Sequence, residues 1–552
     1  MNSHTSHTAH VDTFATDNLP PREFQPDFLF ELPELQYPER LNCAAVLLDE
    51  AIERGWGDRV AFKDAGTTWS YVELWERANQ IAGVLVEDLR LVSGNRVLLH
   101  GFNAPMTVAC WFAILKAGGI VVASMPVARA KELKEVINKA RVTHALFDAR
   151  LESELEKTLP DCPTLSYPLR FGTDEGDGLE ARMANRPTRF EAVNTSAEDV
   201  ALIAFTSGTT GTPKGCMHFH RDVLAICDTF AKHVLKASRD DIFIGSPPLA
   251  FTFGLGGLVL FPMRIGASGV LLERGSPELL RGAIREFGAT VCFTSPTAYR
   301  MMADSATRDD LVTLRKCVSA GEALPAATRK LWRETTGIEL IDGIGATELL
   351  HIFISADETE ARPGATGKPI PGYRACVLDQ TGQPVPPGTV GRLAVKGPTG
   401  CRYLADPRQT EYVQDGWNLT GDAYLVDEDG YFFHQARTDD MIISAGYNIA
   451  GPEVEGALLM HDAVGECAVI GVSDDERGQI VKAYVVLREE VTPSDDLVKE
   501  LQDFVKQTIA PYKYPRAIAF RTSLPRTATG KLQRYVLREQ PSEASEENLH
   551  ER

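Results

Sequence analysis

Ten consecutive residues, Thr206-Ser207-Gly208-Thr209-Thr210-Gly211-Thr212-Pro213-Lys214-Gly215, concentrate hydroxyl side chains, three glycines and a lysine. Glycine lets backbone approach an anion, hydroxyls and N–H groups donate to phosphate oxygens, and the ammonium supplies positive charge. A Walker A loop is excluded, because Pro213 precedes the lysine and Gly215 follows it where that motif needs Gly-Lys-Ser/Thr. Further along lie short polar motifs: Ser319-Ala320-Gly321-Glu322, Gly345-Ala346-Thr347-Glu348, Thr420-Gly421-Asp422, Arg437-Thr438-Asp439-Asp440 and Pro525-Arg526-Thr527-Ala528-Thr529-Gly530-Lys531. Ser207 lacks the flanking glycines of G-x-S-x-G, and no G-x-G-x-x-G occurs, so serine-hydrolase and dinucleotide readings have no support.

The elements that must hold these motifs are legible in the apolar spacing. Ser70 and Glu73 fit a capping box, and Leu74, Ala78, Ile81, Ala82 and Leu85 follow on one helical face. Strands are expected at 96–100, 120–123 and 144–148, with helices at 105–116 and 129–140 between them. Apolar strands separated by helices imply a parallel sheet covered on both faces. A polar stretch, 152–198, reads as irregular, and strands resume at 200–205, 241–245, 268–272, 290–293 and 316–319, with a helix starting near His220. From Gly364 glycine and proline become dense and Asp429-Gly430 signals a hairpin, so about 70 residues of antiparallel sheet are expected.

The fold class that follows is α/β: a large N-terminal domain of parallel α/β sheets with an antiparallel β subdomain, and a small mobile α+β C-terminal domain. The boundaries expected are a disordered tail at 1–25, the large domain at 26–438 (β-rich over 364–438), the small domain at 439–540 and a frayed tail at 541–552. The 552 residues carry 57 basic and 76 acidic side chains, a net charge of −19, which disfavours general binding to nucleic acid or anionic membrane. The ten cysteines show no C-x-x-C and read as buried free thiols of a reducing compartment. No secretory leader is visible, and the apolar runs 106–115 and 251–263 fall short of a membrane span, so a cytoplasmic location, as monomer or homodimer, is expected.

In order and wording, the motifs above resemble the adenylate-forming superfamily, which includes acyl- and aryl-CoA ligases. Trp69–Leu74 and Ile114–Val122 fit the same pattern, so the resemblance spans roughly residues 60–535. It implies activation of a carboxylic acid by ATP to an acyl-adenylate, then displacement of AMP by the thiol of coenzyme A, with Mg²⁺ on the phosphates. It further implies that Thr206, Ser207, Gly208, Thr209, Thr210, Gly211, Lys214, Gly321, Glu322, Ala323, Asp342, Gly343, Ile344, Thr347, Asp422 and Arg437 bind ATP. Glu348 would hold Mg²⁺, and Lys531 would bridge the substrate carboxylate and α-phosphate; with Thr347, Glu348 and Lys214 it makes the catalytic set. Asp439 matches the hinge about which the small domain swings, and Gly446 and Tyr447 the thiol tunnel.

The acid itself is read from the segments where such enzymes diverge. Ala250–Gly254 carries no aspartate to pair with an α-ammonium, which argues against an α-amino acid. The run Ile344–Phe353 resembles benzoate-type CoA ligases, and on that resemblance Thr252, Phe253, Gly345, His351 and Ile352 line a flat acyl pocket. The wording of Lys116–Met125 is most similar to 2-aminobenzoate–CoA ligases. Benzoate or a hydroxybenzoate, and then a medium-chain fatty acid, are the next substrates in order, and loading of a carrier protein in trans is the alternative reaction.

Overall fold

The capping box at Ser70 forms as the spacing predicts. Ser70 Oγ accepts from the Glu73 amide at 3.3 Å and Glu73 Oε2 accepts from the Ser70 amide at 2.8 Å, launching the helix Tyr71–Gly83. Its apolar face, Leu74, Ala78, Ile81 and Ala82, is fully buried and packs on the helix Pro105–Lys116. This computed structural model describes residues 8–173, 176–206, 213–305, 308–437, 440–444, 447–474, 477–489, 491–526 and 532–539.

Four sheets organise the described residues. The first runs in the order Tyr167–Phe171, His144–Asp148, Arg96–His100, Ile120–Ser124, Val200–Thr206, Lys214–Phe219, parallel except for its last pair. The second has nine strands. Its centre, Leu340–Gly345, Lys316–Ala320, Val291–Thr294, Ile242–Gly245, Ser268–Val270 and Val60–Lys63, is parallel, and its ends are closed by antiparallel strands. The third is antiparallel and built from Arg374–Leu378, Gly391–Lys396, Val413–Gln414, Trp417–Val426 and Phe432–Arg437, with the Asp429-Gly430 turn between the last two. The fourth contains Ile442–Ser444, Tyr447–Ile449, Val464–Asp474, Gly478–Leu487 and Ala517–Phe520 and has its own apolar core.

Three features differ from the sequence reading. The stretch 152–198 is not wholly irregular: Tyr167–Phe171 adds an edge strand, burying Leu169 and Phe171 while Pro168 and Arg170 face outward. A strand, Lys214–Phe219, stands between the glycine-rich loop and the helix His220–Ile226, pairing antiparallel with Val200–Thr206. Residues 8–25, expected within a disordered tail, are packed. Asp12 pairs with the buried Arg96, Thr8 and the Ala9 amide bond Asp199, and His10 is buried. Those partners lie far along the chain, where no local pattern reveals them. All ten cysteines are unpaired and nine are buried. No helix among the described residues is long and apolar enough to cross a membrane.

Candidate active site

Three of the motifs follow the C-terminal ends of parallel strands, the end of an open α/β sheet where ligands bind. Thr206 ends its strand, Gly321, Glu322 and Ala323 follow Lys316–Ala320, and Asp342, Gly343, Ile344 and Gly345 close the strand that delivers Thr347 and Glu348. Thr206 Oγ1 and Ser319 Oγ are buried without hydrogen-bond partners among the described residues. Burial pushes the Asp342 carboxyl up to about 7, against the Arg329 guanidinium and the Gly343 amide, which draw it down.

Glu348 is buried on the short turn Thr347–Leu349. Its Oε1 accepts a 2.5 Å bond from the Tyr403 hydroxyl, which in turn accepts from Lys214 Nζ at 2.9 Å. The Lys214 ammonium lies 3.6 Å from Glu348 Oε1 and 4.9 Å from the Tyr403 ring centre. Desolvation, and then the Glu348 charge, hold the Tyr403 phenol far above its ordinary value, so it remains a donor. Tyr403 was not foreseen. The chain brings it here because 402–404 pairs with the outer edge of the Lys214–Phe219 strand, Met217 N donating to Arg402 O and Leu404 N to Gly215 O, each at 2.8 Å.

A second unforeseen residue supports the same turn. Burial pushes His218 down to about 4, and the neutral ring donates from Nε2 to the Thr347 carbonyl at 2.8 Å. Its other nitrogen is 3.9 Å from Asp222, which binds the fully buried Arg402 at 2.8 Å. The Arg402 guanidinium stacks over Phe219 and Phe28, at 3.9 and 4.2 Å. Asp422 and Arg437 face each other across neighbouring strands and bond at 3.1 Å. Gly421, at φ +78°, runs beside that guanidinium, and a Cβ there would sit 3.0 Å from Arg437 Nη2.

Of the pocket residues, Phe253 and His351 meet, at 5.7 Å between ring centres. Phe230 and Phe261 complete the cage around the imidazole, at 5.4 and 4.6 Å, and Phe293 backs Phe253 at 5.6 Å. Burial pushes His351 down to about 3, a hydrogen-bonding contact with the Phe253 backbone opposes it, and neither ring nitrogen has a side-chain partner among the described residues. Gly345 pairs with Ile352 in the strand ladder, against the His351–Ile352 backbone. Thr252, however, lines a small cavity with Trp111, Val121 and Leu202, whose walls include neither Phe253 nor His351. Ser207, Gly208, Thr209, Thr210, Gly211, Asp439, Gly446 and Lys531 lie outside the described residues, as does the Tyr447 side chain.

Comparison with known proteins gives a consistent result. Residues 48–403 match the family described as AMP-binding enzyme, and residues 453–531 match the AMP-binding enzyme C-terminal domain. A benzoate–CoA ligase of Thauera aromatica is 33% identical over 515 residues, 92% of this chain and 97% of the relative. Among solved structures, the anthranilate CoA ligase AuaEII in complex with anthranoyl-AMP has a TM-score of 0.88 at 33% identity, with 92% of this chain and 98% of that one covered. A benzoate CoA ligase from Burkholderia xenovorans LB400 has a TM-score of 0.83 at 31% identity, covering 90% of this chain and 100% of that one. With family models matching residues 48–403 and 453–531 and relatives aligned over 92% of its length, this chain belongs to the AMP-binding enzyme family, in the aryl-CoA ligase branch of the adenylate-forming superfamily.

Proposed function

We propose that the chain is an ATP- and Mg²⁺-dependent ligase joining an aromatic carboxylic acid to coenzyme A, and that 2-aminobenzoate is its preferred acid, ahead of benzoate or a hydroxybenzoate. The observation that carries the choice of acid is the neutral His351, without a side-chain hydrogen-bond partner among the described residues, inside the Phe230–Phe253–Phe261 cage. Flat aromatic walls suit a planar ring. An imidazole with free hydrogen-bonding capacity suits a polar ring substituent, and burial without a side-chain partner is a cost that such a substituent would relieve.

The chemistry explains the rest of the site. A carboxylate has no good leaving group, and attack of its oxygen on the α-phosphate of ATP expels pyrophosphate and leaves AMP as one. The reaction brings two anions together, so positioning and charge stabilisation matter more than a general base. Lys214 offers a cation at the end of the glycine-rich loop, and Thr206 an unsatisfied hydroxyl. Asp422, which bonds Arg437, would accept from the ribose hydroxyls. The donor set at Glu348 fits Mg²⁺: one buried carboxylate, bonded at Oε1, with no group of three or more His, Cys, Asp or Glu forming a metal cage among the described residues. When bound, Mg²⁺ neutralises phosphate charge and holds the phosphates in line. Tyr403 fixes the Glu348 carboxylate and His218 fixes the Thr347 carbonyl, so the turn is set before substrate arrives. Lys531 is assigned the bridge between carboxylate and α-phosphate, and Gly446 the thiol tunnel.

The test is a panel of aromatic and aliphatic acids scored for pyrophosphate release with ATP, Mg²⁺ and CoA. 2-Aminobenzoate is expected to give the highest kcat/KM, and His351→Ala to cost it about tenfold or more relative to benzoate, the scale of a lost polar contact. A ranking of acids untouched by His351→Ala would remove His351 from the pocket. Faster turnover of a medium-chain fatty acid than of any aromatic acid would refute the aryl assignment.

A further inference from the structure

The apolar clusters of the fourth sheet contain only residues from Ile442 onward, so no shared hydrophobic core joins that unit to the candidate site among the described residues. Polar contacts join them instead. Arg526 Nη1 donates to Glu322 Oε1 at 3.0 Å, and its Nη2 reaches Glu466 Oε1 on the strand Val464–Asp474. Glu322 is held on its other oxygen by the Thr297 hydroxyl at 2.7 Å. Two looser contacts flank this bridge: Arg300 donates to the Val464 carbonyl at 3.4 Å, and Arg488 lies 3.9 Å from Asp304.

Arg526 is placed to transmit that bridge to the residues following it. Its backbone pairs with Leu532, and the Gln533 amide donates to the Pro525 carbonyl at 2.9 Å, so the two ends of the 527–531 segment are joined at Arg526. The guanidinium is thus anchored by Glu466 within its own unit while it grips the acid that follows Gly321 in the candidate site. A partly exposed ion pair across a boundary without a common core fixes an orientation yet opens at small cost, since water replaces its bonds.

We propose that Arg526 is a positioning residue, which by bridging Glu466 to Glu322 sets the C-terminal unit in the orientation that forms the adenylate, and that the pair is open when the thioester forms. This rests on the ligase reading above. The test separates the two half-reactions: isotopic exchange of pyrophosphate into ATP with the acid present, and thioester formation from synthetic aryl-adenylate and CoA. Arg526→Ala is expected to slow exchange about tenfold or more and to leave thioester formation within about twofold, with Arg526→Lys recovering part of the loss, as truncation of a charge partner predicts. Glu466→Gln should add nothing in the Arg526→Ala background, because paired groups are non-additive. Equal losses in both half-reactions, or additive losses from the two changes, would overturn the proposal. Failure of the wild type to exchange pyrophosphate with any acid would instead overturn the ligase reading beneath it.

Discussion

The Tyr403 hydroxyl serves two charges of opposite sign, donating to Glu348 and accepting from Lys214. Removing that one oxygen while keeping the ring is therefore informative. Tyr403→Phe is expected to lower pyrophosphate exchange by about ten- to a hundredfold, the scale of a lost charge-aligned donor, and to raise the Mg²⁺ concentration needed for half-maximal rate. Thermal unfolding should shift by no more than a few degrees, because the ring packing against Cys216, Cys401 and Tyr412 survives. An unchanged Mg²⁺ dependence would remove Tyr403 from the site. Lys214 and Glu348 were legible in the sequence because each sits in a motif of unusual composition. Tyr403 was not: Cys401-Arg402-Tyr403-Leu404 has no such composition, and its place depends on pairing with a strand almost two hundred residues earlier.

Elements built around glycine shape the ring cage at His351. In the helical stretch Gly256–Leu260, a Cβ on Gly256 would stand 2.5 Å from His351 Cδ2, and one on Gly257 would meet the Phe293 ring at the same distance. The imidazole and Phe293 therefore rest directly on backbone. Gly256→Ala is expected to push the His351 ring into the cage, raising KM for aromatic acids at least several-fold with KM for ATP unchanged, at a stability cost of about 1–3 kcal/mol for overpacking. Steady-state kinetics and urea unfolding check both parts, and an unaltered acid KM would show the cage to be away from the substrate. Periodicity revealed the capped helix at Tyr71 and the parallel strands, since their burial is one-sided or complete. It missed Lys214–Phe219, which follows so closely on the glycine-rich loop that its apolar residues read as the approach to the next helix, and the edge strand Tyr167–Phe171, whose exposed side is polar. Phe253 meets His351, and its neighbour Thr252 lines a small cavity with Trp111, Val121 and Leu202.

At the scale of the molecule, the N-terminal segment behaves as part of the large body. Asp12 neutralises Arg96, which is only 3% exposed, and Asp199 gathers Thr8 and the Ala9 amide. Deleting residues 1–18 removes the countercharge of Arg96 while its bonds to the Gly94, Ala140 and Arg141 carbonyls remain, so an unfolding free energy lower by about 1–3 kcal/mol is expected, read from urea titration. A truncated chain as stable as the full one would show that the docked segment contributes nothing. Its polar, histidine-rich composition resembles a solvated tail, and only the distant partners reveal otherwise. A net charge of −19 also means that two polyanionic substrates, ATP and coenzyme A, must be drawn in by local groups against the overall field.

Lys214 and His218 leave one strand on the same face, four residues apart, one touching the Tyr403–Glu348 pair and the other the Thr347 carbonyl. Side chains on a strand alternate, so inserting or deleting a single residue between them would turn one of the two away from the site. This short ribbon should therefore tolerate substitution at Cys216 or Met217 far better than any change in its length, and a deep mutational scan would see it as a ruler.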